Sequence, residues 1–506
     1  MRYHIRNSAF VLAAALMLAA GIEPAAAQET GKAAAGAEDY EPKSWAREMS
    51  GTFGGARVDF TATAGETLLY DKEGDPKAAI FSIAYVADGV DDPAERPVTF
   101  LFNGGPGSAS LWLHMGAFGP KRVVLPDDAR DDGAPPYTLI DNPHAPLDAT
   151  DIVFIDPVGT GFSKPLGDHE PDEFYGLTED AAAVGDFIRR WLSENGRWNS
   201  PKYVGGESYG TTRTAMVLRE LEGRFNDVAF NGAILISTIL DFSARVPAPG
   251  NEMSTVLYLP TYAATARYHG KVEGEPDLEA FVAEAREFAR SDYITALLQG
   301  NRLGDAERAR IRSELARFTG LSETYLEQTN LRIEPQRFYK ELLRDRGLTV
   351  GRLDSRFTGV DYDAAGERPD MDPSFYGIDA SYTATVNHYL RDVLGVDFKR
   401  QYSVIGGLGG EWNWELPGQR RQAYLNVGQF VGRAMRENSG LRVFNAAGYY
   451  DFATPLFGAE YALTRNGVVP ERVTFEYYEA GHMMYIHGPS LEKLGSDLRA
   501  FIAAGE

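Results

Sequence analysis

The 506-residue chain contains no cysteine. Disulfides, thiol nucleophiles and cysteine-based metal sites are therefore excluded, and a core of this size has no need of disulfides. Basic residues are scarce beside acidic ones, 50 Lys and Arg against 72 Asp and Glu, for a formal net charge of -22. Phosphate binding needs clustered Lys and Arg, so the balance weighs against nucleic acid and anionic membrane surfaces as partners. It reads as a solvated acidic surface that keeps the protein soluble. Long apolar runs are also missing. Beyond the N-terminus no stretch is apolar enough for a membrane helix, and no stable membrane anchor is expected.

What is present begins with an address. Arg2 and Arg6 precede an apolar run from Ala9 to Gly21, followed by EPAAAQ, in which Ala25 and Ala27 meet the small-x-small rule for cleavage. Residues 1–27 thus read as a secretory signal peptide cleaved near Ala27, with a periplasmic or secreted destination. Its removal takes two arginines and one glutamate and shifts the net charge from -22 to -23. The remainder, with 44% hydrophobic and 24% charged residues in the whole chain, has ordinary globular composition.

Residues 28 to about 45 are rich in Gly, Ala and Glu and are expected to be loose. From about 55 to 103 the pattern is strands: RVDFTATA alternates, AIFSIAYVA is apolar and β-branched, and VTFLFNGG ends in glycines. DIVFID (151–156) reads as a buried strand. LTEDAAAVGDFIRRWL (177–192) has helical spacing, with Val184, Phe187, Ile188 and Trp191 on one face and Thr178 as N-cap. A short strand YVGG, a helix from about 211 to 223 and the strand AILIS (233–237) follow. This alternation predicts an α/β fold with a mostly parallel central sheet flanked by helices. The boundaries are a first core part over 28–244, a helical insertion over 245–375, and a second core part over 376–506. LRVFNAAG and RVTFEYYEAG supply late strands, and a helix from about 490 to 503 closes the chain.

Gly206-Glu207-Ser208-Tyr209-Gly210 is a G-x-S-x-G pattern between a strand and a helix. Such turns strain the central residue, and flanking glycines remove side chains that would clash. The alternative for such a stretch is a plain surface turn. As a nucleophile, Ser208 needs a base to take its proton and an acid to orient that base. In strand-turn-helix sites the order is Ser, acid, His. Of eight histidines, His4 lies in the signal peptide, and His114, His144, His169, His269 and His388 precede the late strands or fall in the insertion. His482 follows the last strand in a Gly-His turn and is the candidate base, with His487 its rival. Asp451, after the preceding strand, is the candidate acid. Asn103-Gly104-Gly105-Pro106-Gly107 ends a buried strand, where bare N–H groups suit an oxyanion hole, with the Tyr209 N–H as second donor.

Four segments, FLFNGGPGSASL, DPVGTGFS, GGESYGTT and EAGHMMYIH, together with GYYDFATP, resemble the serine carboxypeptidase family over roughly 95–240 and 380–500. The resemblance implies an α/β-hydrolase fold with a helical lid, no metal and no cofactor. It implies removal of C-terminal residues from peptides with a free C-terminus. It assigns Ser208 as nucleophile, Asp451 as orienting acid, His482 as base, and Gly105 and Tyr209 as oxyanion donors. Asn103, Gly104 and Glu207 would hold the substrate carboxylate, a protonated Glu207 donating to it. One position departs. Where the family carries a second glutamate, the chain has Ala117 and no acid from Asn103 to Pro126. Without a paired carboxyl Glu207 should hold its proton less well, which predicts a weaker preference for acidic pH. Ser108 stands where many members carry cysteine. The alternatives are an esterase or acyltransferase using the same triad, and an inactive binding homologue. Neither side-chain preference nor oligomeric state is legible.

Overall fold

The computed structural model describes residues 40–505, except 224, 226, 275, 407, 409–410 and 417–421. The signal-peptide expectation lies outside the described residues. Nine strands form the spine: β1 (Ser44–Phe53), β2 (Ala56–Tyr70), β3 (Pro76–Ala87), β4 (Val98–Phe102), β5 (Asp151–Ile155), β6 (Lys202–Glu207), β7 (Gly232–Ile236), β8 (Arg442–Gly448) and β9 (Val473–Tyr478). Their order is β1-β2-β3-β5-β4-β6-β7-β8-β9, and Lys164–Pro165 pairs with β3 as a short tenth strand. Pairing is antiparallel from β1 through β3 to β5. It is parallel across β5, β4, β6, β7, β8 and β9.

The parallel strands read as unbroken apolar runs because both faces are covered. In β4, Leu101 points to one face, packed with Phe154, Ile234, Phe444 and Phe501, while Phe100 and Phe102 point to the other. That second face is closed by helix α1 (Leu177–Glu194), through Val184, Phe187, Ile188 and Trp191, and by helix α2 (Tyr209–Leu221). The closing helix, Gly488–Ala503, covers the first face with Leu491, Leu494 and Leu498. β2 instead alternates buried and partly exposed residues over its second half, as expected of an antiparallel strand with one solvated face.

Two local expectations are corrected. Residues 44–53, partly assigned to a loose leader, form β1, paired along its whole length with β2. Its sequence, SWAREMSGTF, carries too little apolar alternation to announce a strand, and pairing with a long neighbour supplies the order. Thr178 is not the N-cap of α1. Gly176 holds that position, and the Thr178 hydroxyl is buried without a hydrogen-bond partner.

Residues 245–375 are mostly helical, including Leu259–Tyr268, Leu278–Phe288 and Asp305–Thr319, with one small two-stranded ribbon at Thr349–Val350 and Thr358–Gly359. Tyr262, Phe281, Phe288, Phe318 and Phe338 build a separate core there, and Phe452 completes it. Phe452 belongs to the loop after β8, so this segment seats directly on the residue next to Asp451. No described helix is long and apolar enough to cross a membrane.

Candidate active site

Ser208 sits between the last residue of β6 and the first residue of α2 with φ 61° and ψ -127°. That backbone region is costly for a side-chain-bearing residue and persists only where surroundings over-determine it. They do so here. The Ser208 amide donates to Ile236 O at 3.0 Å, and its carbonyl accepts from the Thr211 amide at 2.8 Å and hydroxyl at 2.7 Å. A Cβ on Gly206 would lie 2.6 Å from Gly210 O, and one on Gly104 would lie 2.6 Å from both Glu207 O and Tyr209 N. The turn therefore demands glycine at 206, and the Asn103–Gly107 loop demands it at 104 to press against the turn.

Asp451 follows β8 and is fully buried. Its carboxylate accepts four hydrogen bonds: Oδ1 from the Ala453 and Thr454 amides at 2.7 and 3.0 Å, and Oδ2 from Thr454 Oγ1 at 2.6 Å and His482 Nδ1 at 2.7 Å. His482 follows β9. Its own backbone is clamped, the amide donating to Leu353 O at 2.6 Å and the carbonyl accepting from Ser237 Oγ at 2.6 Å. Burial alone would lower the imidazole pKa. The charge and hydrogen bond of Asp451, with the charge of Glu207 behind them, outweigh it and raise the pKa above 6.5. Nδ1 is committed to Asp451, which leaves Nε2 to act. Among the described residues the Ser208 hydroxyl makes no hydrogen bond to His482; such contacts are often loose until substrate binds.

Five other histidines have separate partners. His487 Nδ1 meets Ser490 Oγ at 2.8 Å, and His114 is a core residue on Tyr85 Oη at 2.6 Å, its pKa pushed down to about 3 by burial. His169 and His388 meet Glu173 and Asp392, and His269 meets Ser355 O.

The Tyr209 amide opens α2 and has no intrahelical acceptor, as for any first-turn N–H. Gly105 lies three residues after the end of β4 with φ 103°. Asn103 is buried between them; its Oδ1 accepts from Leu113 N at 3.0 Å and its carbonyl from the Arg213 guanidinium. Arg213 is wholly buried, pairs with Asp180 at 2.6 Å and lies over the Tyr209 and Phe102 rings. One buried cation thus ties the loop after β4 to the turn after β6.

Glu207 is buried at the end of β6, and its pKa is pushed up to about 7, chiefly by burial, with the Asp451 charge adding to it against the opposing effects of His482 and Tyr485. Tyr485 donates to Glu207 Oε2 at 2.5 Å. The missing acid at Ala117 does not strip Glu207 of its proton below neutrality, because desolvation suffices. Ala117 itself is buried in the turn His114–Phe118, its carbonyl taken by Asn142 at 2.8 Å.

Sequence reasoning passed over Tyr485, Thr454, Arg213 and Leu353. Thr454, three residues after Asp451, carries a D-x-x-T turn signal. Tyr485 lies within the EAGHMMYIH stretch. Arg213 and Leu353 carry no local signal, since the contacts that matter, to Asn103 O and to the His482 amide, span over 100 residues. No group of three or more His, Asp or Glu among the described residues is arranged to hold a metal.

The architecture, with its parallel strands, its serine at the sharp turn and its acid and histidine after the last two strands, is an α/β-hydrolase fold. A prohormone-processing carboxypeptidase from Saccharomyces cerevisiae shares that fold, with a TM-score of 0.53 and 13% identity over 88% of this chain and 92% of that one. Residues 70–247 match the serine carboxypeptidase family model. Serine carboxypeptidase-like 13 of Arabidopsis thaliana is 30% identical over 155 residues, 30% of this chain and 34% of that protein. Serine carboxypeptidase-like 16 from the same plant is 29% identical over 142 residues, 27% and 31% respectively. The chain thus matches about a third of the length of these relatives. Ser208 lies inside the matched stretch; Asp451 and His482 lie beyond it.

Proposed function

We propose that the protein is an exported serine-type carboxypeptidase. Ser208 attacks the carbonyl of the last peptide bond, and His482 takes the hydroxyl proton at Nε2. Asp451 holds the imidazole through Nδ1 and stabilises the imidazolium that forms. Charge gathers on the former carbonyl oxygen, where the Gly105 and Tyr209 amides donate to it. Each donor of this kind contributes roughly 100- to 1000-fold in rate. The tetrahedral adduct collapses, His482 returns the proton to the leaving amine, and the new C-terminal residue stays on Ser208 as an ester. Water, deprotonated by His482, then hydrolyses that ester and restores the serine.

Glu207 supplies the preference for a free C-terminus. Neutral below about pH 7, it donates a hydrogen bond to the incoming carboxylate beside Asn103 and the Gly104 amide; ionised, it repels it. The observation that carries the reading is the buried Asp451–His482 pair at the same sheet edge as the strained Ser208 and the desolvated Glu207. Export rests on the N-terminal segment, and the helical insertion is read as the lid over the pocket.

The test is a pair of peptides identical except for a free or amidated C-terminus, with Ser208 labelling by a phosphonylating reagent run alongside. Release of the last residue only from the free acid is expected. Equal release from both forms would favour the esterase or acyltransferase reading, and no labelling would favour a binding homologue.

A further inference from the structure

Two arginines flank the acid loop without a committed counter-ion. Arg245 follows the short turn Phe242–Ala244 after β7, and its Nε donates to Ala453 O at 2.9 Å, two residues beyond Asp451. Arg352 lies on the other side of the same loop. Its carbonyl accepts from Phe452 N at 3.1 Å, and the next carbonyl, Leu353 O, is the acceptor of the His482 amide. Both side chains therefore start from backbone fixed within a residue or two of the triad.

Their charges are poorly answered by the protein. Among the described residues no carboxylate pairs with Arg245, and its terminal nitrogens, without a protein acceptor, are not sealed from solvent. Arg352 reaches only Asp372, at 3.9 Å, the limit of an ion pair. Asp372 is already occupied by the Arg352 and Leu353 amides and by the Ser374 amide and hydroxyl. Tyr258 and Tyr339 pack on Phe452 around the pair, ring centroids 6.1 and 5.3 Å away, and make the surroundings low in dielectric. Burial and the neighbouring Arg352 lower the Arg245 pKa against the smaller opposing effects of Tyr258, Tyr339 and the Asp451 charge, and the Arg352 charge acts in turn on His482. Two like charges that one loop brings near each other favour an anion that joins them. A guanidinium is built to meet a carboxylate with two parallel hydrogen bonds.

Sheet order sets the direction. The Asn103–Glu207 carboxylate site lies at the ends of β4 and β6, and the arginines lie by the loops after β7 and β8, with Ser208 between. A peptide anchored by its terminal carboxylate at the first place presents its side chains next to the scissile bond towards the second. Resting on the carboxypeptidase reading, we propose that Arg245 and Arg352 form an anion subsite that selects peptides with an aspartate or glutamate side chain adjoining the bond to be cut.

The test is steady-state kinetics on N-blocked dipeptides with free C-termini, in which Glu, Gln or Lys occupies the penultimate or the terminal position, beside a neutral reference. At one of the two positions we expect kcat/KM for Glu to exceed that for Gln by about tenfold or more, with Lys lowest. The Glu/Gln ratio should fall to within about twofold of unity in Arg245→Gln, and Arg245→Glu should favour Lys. Arg352, 41% exposed, provides the variant least able to disturb folding, and Arg352→Gln should lower the same ratio. Turnover of the neutral reference with a Glu/Gln ratio near one at both positions overturns the subsite alone. So does a ratio that survives both Gln substitutions. No release from any peptide, the neutral one included, overturns the carboxypeptidase reading and the subsite with it.

Discussion

The charged groups at the sheet edge and those on the helical insertion are handled in opposite ways. At the edge they are few and buried: Asp451 accepts four hydrogen bonds, and Arg213 pairs with Asp180 while its Nη2 stays buried without a hydrogen-bond partner. On the outer helices of the insertion they are many, partly exposed and paired along helix surfaces, although the same segment also holds the buried pairs Lys340–Asp361 and Arg356–Asp354. Arg308, Arg310, Arg312 and Arg317 meet Glu327, Asp292, Glu323 and Glu284, with side chains 23% to 59% exposed. Buried groups hold one geometry because any other leaves a desolvated charge without partners; solvated pairs exchange with water at little cost. The difference marks where the molecule needs position and where it needs only solubility.

The sharpest way to break that comparison is at the edge. Ser208→Ala and His482→Ala are each expected to lower kcat by about 10⁴-fold or more, with circular dichroism and unfolding midpoints close to wild type. Residual activity within tenfold of wild type in either would remove the assignment. Asp451→Asn leaves the loop nearly isosteric but offers His482 the wrong partner, and a loss of about 10⁴-fold in kcat is expected.

Glu207→Gln acts through pH. In the wild type KM should climb about tenfold or more as pH rises from 6 to 8, because Glu207 with a pKa of about 7 loses the proton it donates. kcat should fall as pH drops through the raised His482 pKa, since only neutral imidazole accepts the serine proton. In the Gln variant the KM profile should flatten while the kcat limb stays; a sharp wild-type optimum near about pH 4 would contradict both. Stability follows the same linkage. A carboxyl whose pKa rises from 4.5 to about 7 on folding favours the folded state fully below about pH 4, and that contribution is lost as pH climbs past 7. Relative to wild type, the Gln variant should therefore gain about 3 kcal/mol between pH 4 and pH 8, read by denaturant titration.

Tyr485→Phe removes a hydrogen bond that lowers the Glu207 pKa, so the climb of KM should move to higher pH, with kcat within about threefold. On the insertion, Arg312→Ala should leave kcat/KM unchanged and the thermal midpoint within about 3 °C. A large loss there would erase the contrast between the two regions.

The strands were legible wherever both faces are covered, since VTFLF, DIVFI and AILI are unbroken apolar runs bounded by turn residues. The sharp turn at 208 was legible from its glycines, and positions 451 and 482 from their place after late strands. The structure joins those two by a 2.7 Å hydrogen bond. β1 was not legible because its order comes from a partner strand. The insertion was read as helical, but its amphipathic stripes carry no information about which loop they meet. For the same reason Arg245, Arg352 and Leu353 gave no signal: their relevance lies in contacts over 100 residues distant in the chain.

The clamp on His482 has a consequence for engineering. Its amide is held by Leu353 O, and the preceding Gly481 amide donates to Asp354 at 3.0 Å, a residue itself fixed by Arg356 at 2.6 Å. The insertion therefore cannot be exchanged as an independent cassette to retune selectivity. A transplanted cap that omits residues 352–356 would leave His482 without its splint, so chimeras should be joined upstream of that segment and keep it from the host.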